Sequence, residues 1–117
     1  MFLFEPEHDY GNVEYKLQMN RLVGIKRHRY ISQIKYRIIE GGGVAYYVIG
    51  IRDDGKVVGL SKKNINRSLQ TFMKLIYALN YRIAQVLKCT YKHKRHFLII
   101  KITTDIDIYE DLNYFIT

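Results

Sequence analysis

One cysteine, one proline and no tryptophan occur among the 117 residues. A lone Cys89 excludes an internal disulfide and any zinc site built on several cysteines. It fits a reducing, cytoplasmic setting. No apolar window approaches the ~18 residues of a membrane-spanning helix. The start, "MFLFEPEHDYG", has neither the basic residues nor the apolar run of a secretory leader. An anionic membrane surface is therefore the lesser alternative, and no membrane partner is carried forward. Carboxylates are the scarcer charge: 11 Asp and Glu face 19 Lys and Arg, for a net charge of +8. That balance points to an anionic partner, of which nucleic acid is the commonest.

The motifs of nucleotide hydrolysis and nucleophilic catalysis are missing too. GxxxxGK[ST] does not occur, and Gly41–Gly43 precede a strand pattern where a phosphate-binding loop precedes a helix. No nucleotide cofactor and no GTPase activity are expected. His8, His28, His93 and His96 do not share a metal-binding spacing, and no Ser-His-Asp or Cys-His arrangement can be argued from spacing.

The length suits one domain, 1–117, able to bury about two-thirds of its unfolded surface without cross-links. Residues 1–11 are irregular, punctuated by Pro6 and Gly11. "NVEYKLQM" alternates, with Val13, Tyr15 and Leu17 on one face and Glu14, Lys16 and Gln18 on the other, as a half-buried strand does. Gly24 is assigned to a loop. Ile31, Ile34 and Ile38 share a helix face, and the three glycines stop that helix. "VAYYVIGI" is apolar enough for a central strand. "DDG" turns it into "KVVGL". Ser61, or else Asn64, caps a helix whose stripe runs Ile65, Leu69, Phe72, Ile76 and Leu79, with Arg67, Gln70 and Lys74 opposite. "IAQVLKCTY" and "HFLIIKIT" form a hairpin through "KHKR". Residues 104–117 make an acidic tail with a strand-like ending. The order β-α-β-β-α-β-β predicts an α+β domain: a mixed sheet with two main helices, mostly on one face.

Three features carry chemistry. Asp54-Gly55 is a tight-turn signal, which leaves neighbouring Asp53 without an assigned task. "YKHKRHF" gathers Tyr91, Lys92, Lys94 and Arg95 at a hairpin tip, where cations reach phosphates and tyrosine stacks on a base. "IKRHRY" places Lys26, Arg27 and Arg29 at a helix start. Cations there oppose the macrodipole, unless an anion docked on the helix amides wants them.

Gly11-Asn12-x-Glu14-Tyr15-Lys16, Gln33-x-Lys35-x-Arg37, Glu40-Gly41-x-Gly43-x-Ala45-x-Tyr47-x-Ile49-Gly50, Asp53-x-Gly55 and Gly59-Leu60 occur in this order. Together they resemble the N-terminal domain of the GTP-binding protein 1 and 2 family, translational GTPases related to elongation factors. The resemblance covers about residues 11–80, and no GTPase domain is expected within these 117 residues. It implies a translational GTPase or the ribosome as partner. The signature is similar, more widely, to the Schlafen AlbA-type domain, some of whose members are metal-dependent endoribonucleases acting on tRNA and rRNA. That likeness implies a fold with a Schlafen-like mixed sheet. It also implies a catalytic set of Asp9, Glu14, Asp53 and Lys16, with Asp9, Glu14 and Asp53 holding Mn2+ or Mg2+. The first acid is Asp here where the ribonucleases have Glu. Those ribonucleases join two such lobes, which implies a homodimer for a chain with one. The expected function is binding of tRNA or other structured RNA. The alternatives are metal-dependent RNA cleavage, or protein docking in a translation or RNA-decay factor.

Overall fold

The computed structural model describes residues 4–104; the expected strand at the end of the acidic tail lies outside them. The elements are β1 (Val13–Lys16), α1 (Gly24–Glu40), β2 (Val44–Ile49), α2 (Lys62–Ala78), β3 (Arg82–Tyr91) and β4 (Arg95–Thr103). The sheet runs β1-β2-β4-β3, with β1 parallel to β2 and the other pairs antiparallel. The expected α+β order is present. Its third strand, "KVVGL", is reduced to two isolated bridges, Ile51 to Val57 and Leu60 to His96.

Side-chain alternation splits the sheet into two faces. Ala45, Tyr47 and Ile49 of β2 and Leu98, Ile100 and Ile102 of β4 face the helices, meeting Ile34 and Ile38 of α1 and Ile65, Phe72 and Ile76 of α2. The opposite face carries a smaller cluster of Tyr15, Val48, Ile51, Val57 and Phe97, with Phe4 and Tyr91 packed on it. The α2 stripe follows from its 4-3-4 spacing. Ser61 caps that helix by accepting the Asn64 N–H at 3.2 Å.

The end of α1 shows why three glycines are needed. The Gly43 N–H donates to the Ile38 carbonyl at 2.9 Å and the Gly42 N–H to that of Ile39 at 3.1 Å, with Gly42 at φ +61°. This is the Schellman closure, which requires the left-handed conformation. A Cβ on Gly41 would lie 1.8 Å from the Val44 carbonyl oxygen. Two local expectations are corrected. Gly24 opens α1 and does not sit in a loop. The alternation of β1 does not separate core from solvent, because Glu14 is buried while Val13 and Leu17 are exposed. Glu14 pairs with Tyr47 in register and so points under α1, where a cation awaits it.

The registers fix which end is which. Lys16 lies beside Ile49, Ile49 beside Leu98, and Leu98 beside Lys88. The chain enters α1 soon after Lys16, and enters α2 directly after Leu60, whose bridge to His96 ties it to the start of β4. Both helix N-termini and the β3–β4 hairpin tip therefore lie at one end of the sheet.

Tyr47 is fully buried, its ring 4.7 Å from that of Phe72 and tilted against it, and among the described residues its hydroxyl has no hydrogen-bond partner. Burial drives its pKa far upward, so the hydroxyl stays neutral. An unpaired buried hydroxyl costs about 1–3 kcal/mol. Tyr47→Phe is expected to leave the fold intact and raise the melting temperature in a thermal melt; a marked fall would mean that the hydroxyl has a stabilising partner.

Candidate nucleic-acid interface

The acidic residues serve mainly to hold the N-terminal segment. Arg37 is 3% exposed and donates from Nε to Glu14 Oε2 at 2.6 Å. One terminal nitrogen donates to the Tyr10 and Gly11 carbonyls at 2.9 Å, and the other to that of His8 at 2.8 Å. Four of the five guanidinium donors are thus used. The Gly11 N–H donates to Glu40 Oε1 at 3.1 Å, and Asn12 Nδ2 donates to the Val44 carbonyl at 3.0 Å. The Tyr15 N–H donates to Glu7. Of the residues carrying the resemblance, Gly11, Glu14, Arg37 and Glu40 therefore bond to one another across β1 and α1.

This bears on the expected metal set of Asp9, Glu14 and Asp53. Glu14 is 3% exposed, and its second oxygen lies 3.6 Å from Lys16 Nζ. Lys16 in turn sits 4.5 Å over the Tyr30 ring. Both Glu14 oxygens face cations of the protein. Asp9 and Asp53 are exposed. The acid that feels Glu14 and Asp53 is Glu7, which sequence reasoning missed. Among the described residues no three His, Cys, Asp or Glu side chains are grouped so as to hold a metal ion. As placed, Glu14 has no oxygen open to a divalent cation, as a ligand carboxylate needs, and it is not grouped with Asp9 and Asp53 as a site. Asp54 makes the turn: its Oδ1 accepts the Lys56 N–H at 3.1 Å, and its Oδ2 pairs with Arg52 at 2.6 Å. Asp53 offers its carbonyl to the Glu7 N–H at 2.7 Å. It helps anchor the N-terminal segment through its backbone.

The cations are distributed differently. All 19 Lys and Arg fall within residues 4–104, and no Asp or Glu occurs between Gly55 and Thr104. Lys26, Arg27 and Arg29 occupy the first turns of α1, while Lys62 and Lys63 open α2; neither first turn has an acid. Lys92, Lys94 and Arg95 are exposed at the hairpin tip, where His93 and Lys94 take left-handed backbone. All these sit at the end of the sheet where both helix dipoles are positive. Tyr91 is half-buried against the back-face cluster, with Lys92 Nζ 5.9 Å from its ring.

Two hollows lie beside the start of α1. One, of about 260 Å³, is lined by Lys16, Lys26, Arg29, Tyr30 and Gln33. The other, of about 490 Å³, lies between α1 and α2 and draws in Arg21, Arg67 and Lys74 beside Arg27. Sequence reasoning did not single out Arg21, Arg67 or Lys74. The spacing of Arg67, Gln70 and Lys74 put them on one face of α2, but what faces them depends on the segment after β1. That segment is fixed by Met19, 1% exposed, whose N–H donates to Ser68 Oγ at 3.0 Å.

Comparison with known proteins bears out one part of the resemblance. Over 73 residues, 60% of this chain, it is 40% identical to GTP-binding protein 2 of mouse and of human. It is 34% identical over 113 residues, 96% of the chain, to the uncharacterized protein R625 of Acanthamoeba polyphaga mimivirus. The matched stretches make up 12% of GTP-binding protein 2 and 59% of the viral protein. No protein-family model and no solved structure matches. The chain is related to a segment of GTP-binding protein 2. Among the described residues no helix is long and apolar enough to cross a membrane.

Two outcomes follow from the acidic residues. Glu14→Gln leaves Arg37 buried without its counter-charge and is expected to cost about 3–5 kcal/mol in a denaturant melt. A repulsive carboxylate cluster awaiting a metal would instead be relieved by the same change. Glu7 is held above its ordinary carboxyl value of 4.5, chiefly by burial and also by Glu14 and Asp53, against the Tyr15 N–H and Arg37. The folded state therefore binds this proton more tightly than the unfolded chain, and the associated stability is lost as pH rises above 4.5. Glu7→Gln, uncharged throughout, should gain melting temperature relative to the native protein between pH 4 and pH 7; a pH-independent difference would contradict this.

Proposed function

We propose that this chain is an RNA-binding domain for tRNA or another structured RNA, related to the N-terminal domain of translational GTP-binding proteins and more widely to Schlafen AlbA-type domains. The observation that carries the reading is the cationic end of the sheet. Two helix N-termini, each with cations where acids are the favourable choice, open beside a hairpin tip of Lys92, Lys94 and Arg95. Local helix energetics do not explain that pattern; a polyanion docked there does. Lys26, Arg27 and Arg29 contact phosphates on one side and the hairpin tip contacts them on the other. Binding is then governed by backbone and shape, with little sequence preference. A translational GTPase or the ribosome is the partner that the relationship suggests.

Salt dependence tests this. Each phosphate contact contributes about 0.7–0.9 to the slope of log affinity against log salt. Substituting Lys92, Lys94 and Arg95 together by Ala is expected to flatten the slope for tRNA by about two, measured by fluorescence anisotropy. An affinity unchanged between low and moderate salt would sink the RNA reading in favour of protein docking. Running the mixtures on a gel with and without Mn2+ tests RNA cleavage. Manganese-dependent cutting abolished by Asp53→Asn would restore the nuclease alternative.

A further inference from the structure

The hollow between α1 and α2 has a composition that general backbone contact does not require. Arg21 enters from the segment after β1, Arg27 from the first turn of α1, and Arg67 and Lys74 from one face of α2. Three separate elements thus turn four cations toward one concave space of about 490 Å³. Among the described residues no carboxylate lines it, and none of the four cations is in an ion pair. Like charges brought together without a counter-charge repel, so the arrangement is stabilised when an anion joins it. Gln70 and Thr71 add neutral hydrogen-bonding groups between the α2 cations, and Leu22 and Leu75 give the hollow an apolar part. A few polar groups converging on a partly apolar hollow of this size suit a small ligand or one end of a larger one.

We infer that this hollow receives a phosphomonoester on a nucleoside: the 5′-phosphate end of an RNA strand. A backbone phosphodiester carries about one negative charge, whereas a phosphomonoester carries about −1.5 to −2 at neutral pH and three acceptor oxygens. Four cations from three directions match the second better than the first. Arg forks suit the bidentate geometry of phosphate oxygens. The apolar part accepts the ribose or base behind the phosphate. The hollow lies where α1 begins, so a strand leaving it passes over Lys26 and Arg29. The site rests on the RNA reading for the source of the ligand. A free nucleoside monophosphate offers the same chemistry.

The test uses the whole chain and three probes: a ten-nucleotide RNA with a 5′-phosphate, the same RNA with a 5′-hydroxyl, and AMP. Binding is read by anisotropy for the RNAs and by calorimetry for AMP. The phosphorylated RNA is expected to bind at least about tenfold tighter, the scale of one or two charged hydrogen bonds. The Arg67→Ala, Lys74→Ala double variant should erase that difference. Lys92→Ala with Lys94→Ala should weaken both RNAs by a similar factor and preserve it. AMP, but not adenosine, should displace the phosphorylated RNA from the native protein, a result that depends on no variant folding. Equal binding of the two RNAs, with equal losses in the Arg67 and Lys74 variant, overturns the pocket while the RNA reading stands. Binding of AMP with no binding of either RNA overturns the 5′-end assignment and gives the pocket to a free nucleotide. Failure of all three probes overturns the pocket, while the tRNA salt series decides the RNA reading.

Discussion

The buried pair between Glu14 and Arg37 is the contact on which the rest of this fold depends. A guanidinium taken out of water needs its charge matched and its donors used. Here one donor goes to Glu14 and three go to the carbonyls of His8, Tyr10 and Gly11. The pair therefore joins α1 to β1 and folds the N-terminal segment beside both. With that segment in place, Glu7 accepts the Tyr15 N–H and Phe4 packs against Tyr15 and Phe97. Without it, that side of the sheet would lose its cover and the Tyr15 N–H its partner.

The other acids of the described residues are largely engaged in local contacts. Within residues 4–104 the acids are Glu5, Glu7, Asp9, Glu14, Glu40, Asp53 and Asp54. Most of them bond within the N-terminal segment, the glycine turn or the Asp54 turn. Few are left to neutralise the helix starts and the hairpin tip. Around the helix starts and the hairpin tip the cations therefore outnumber the acids, although Asp53 and Asp54 follow β2 at the same end of the sheet.

Much of this was legible in the sequence. The α2 stripe, the Ser61 cap, the glycine stop and the β3–β4 hairpin are local signals, set by residues within a turn or two of each other, and the structure has each of them. What was not legible depends on distant partners. Glu14 looked like the polar side of a half-buried strand because Arg37, which makes its burial affordable, lies far along the chain. Asp53 looked like a possible ligand, since the Glu7 N–H that meets its carbonyl is a backbone group without a sequence signal. Arg21 and Arg67 carry no shared motif; only the seating of Met19 against α2 puts them around one hollow. Gly11, Glu14, Lys16, Arg37 and Glu40 of the quoted pattern hold one another, so these positions serve folding without requiring chemistry at each.

The most direct test of the account is to map tRNA onto the isotopically labelled chain by backbone amide shifts. Perturbations are expected at residues 16–29, 62–74 and 91–96, with the glycine turn and the end of β4 near Thr103 unaffected. Perturbations centred on the opposite face of the sheet, around Tyr46, Leu87 and Ile99, would contradict the cationic end as the binding surface.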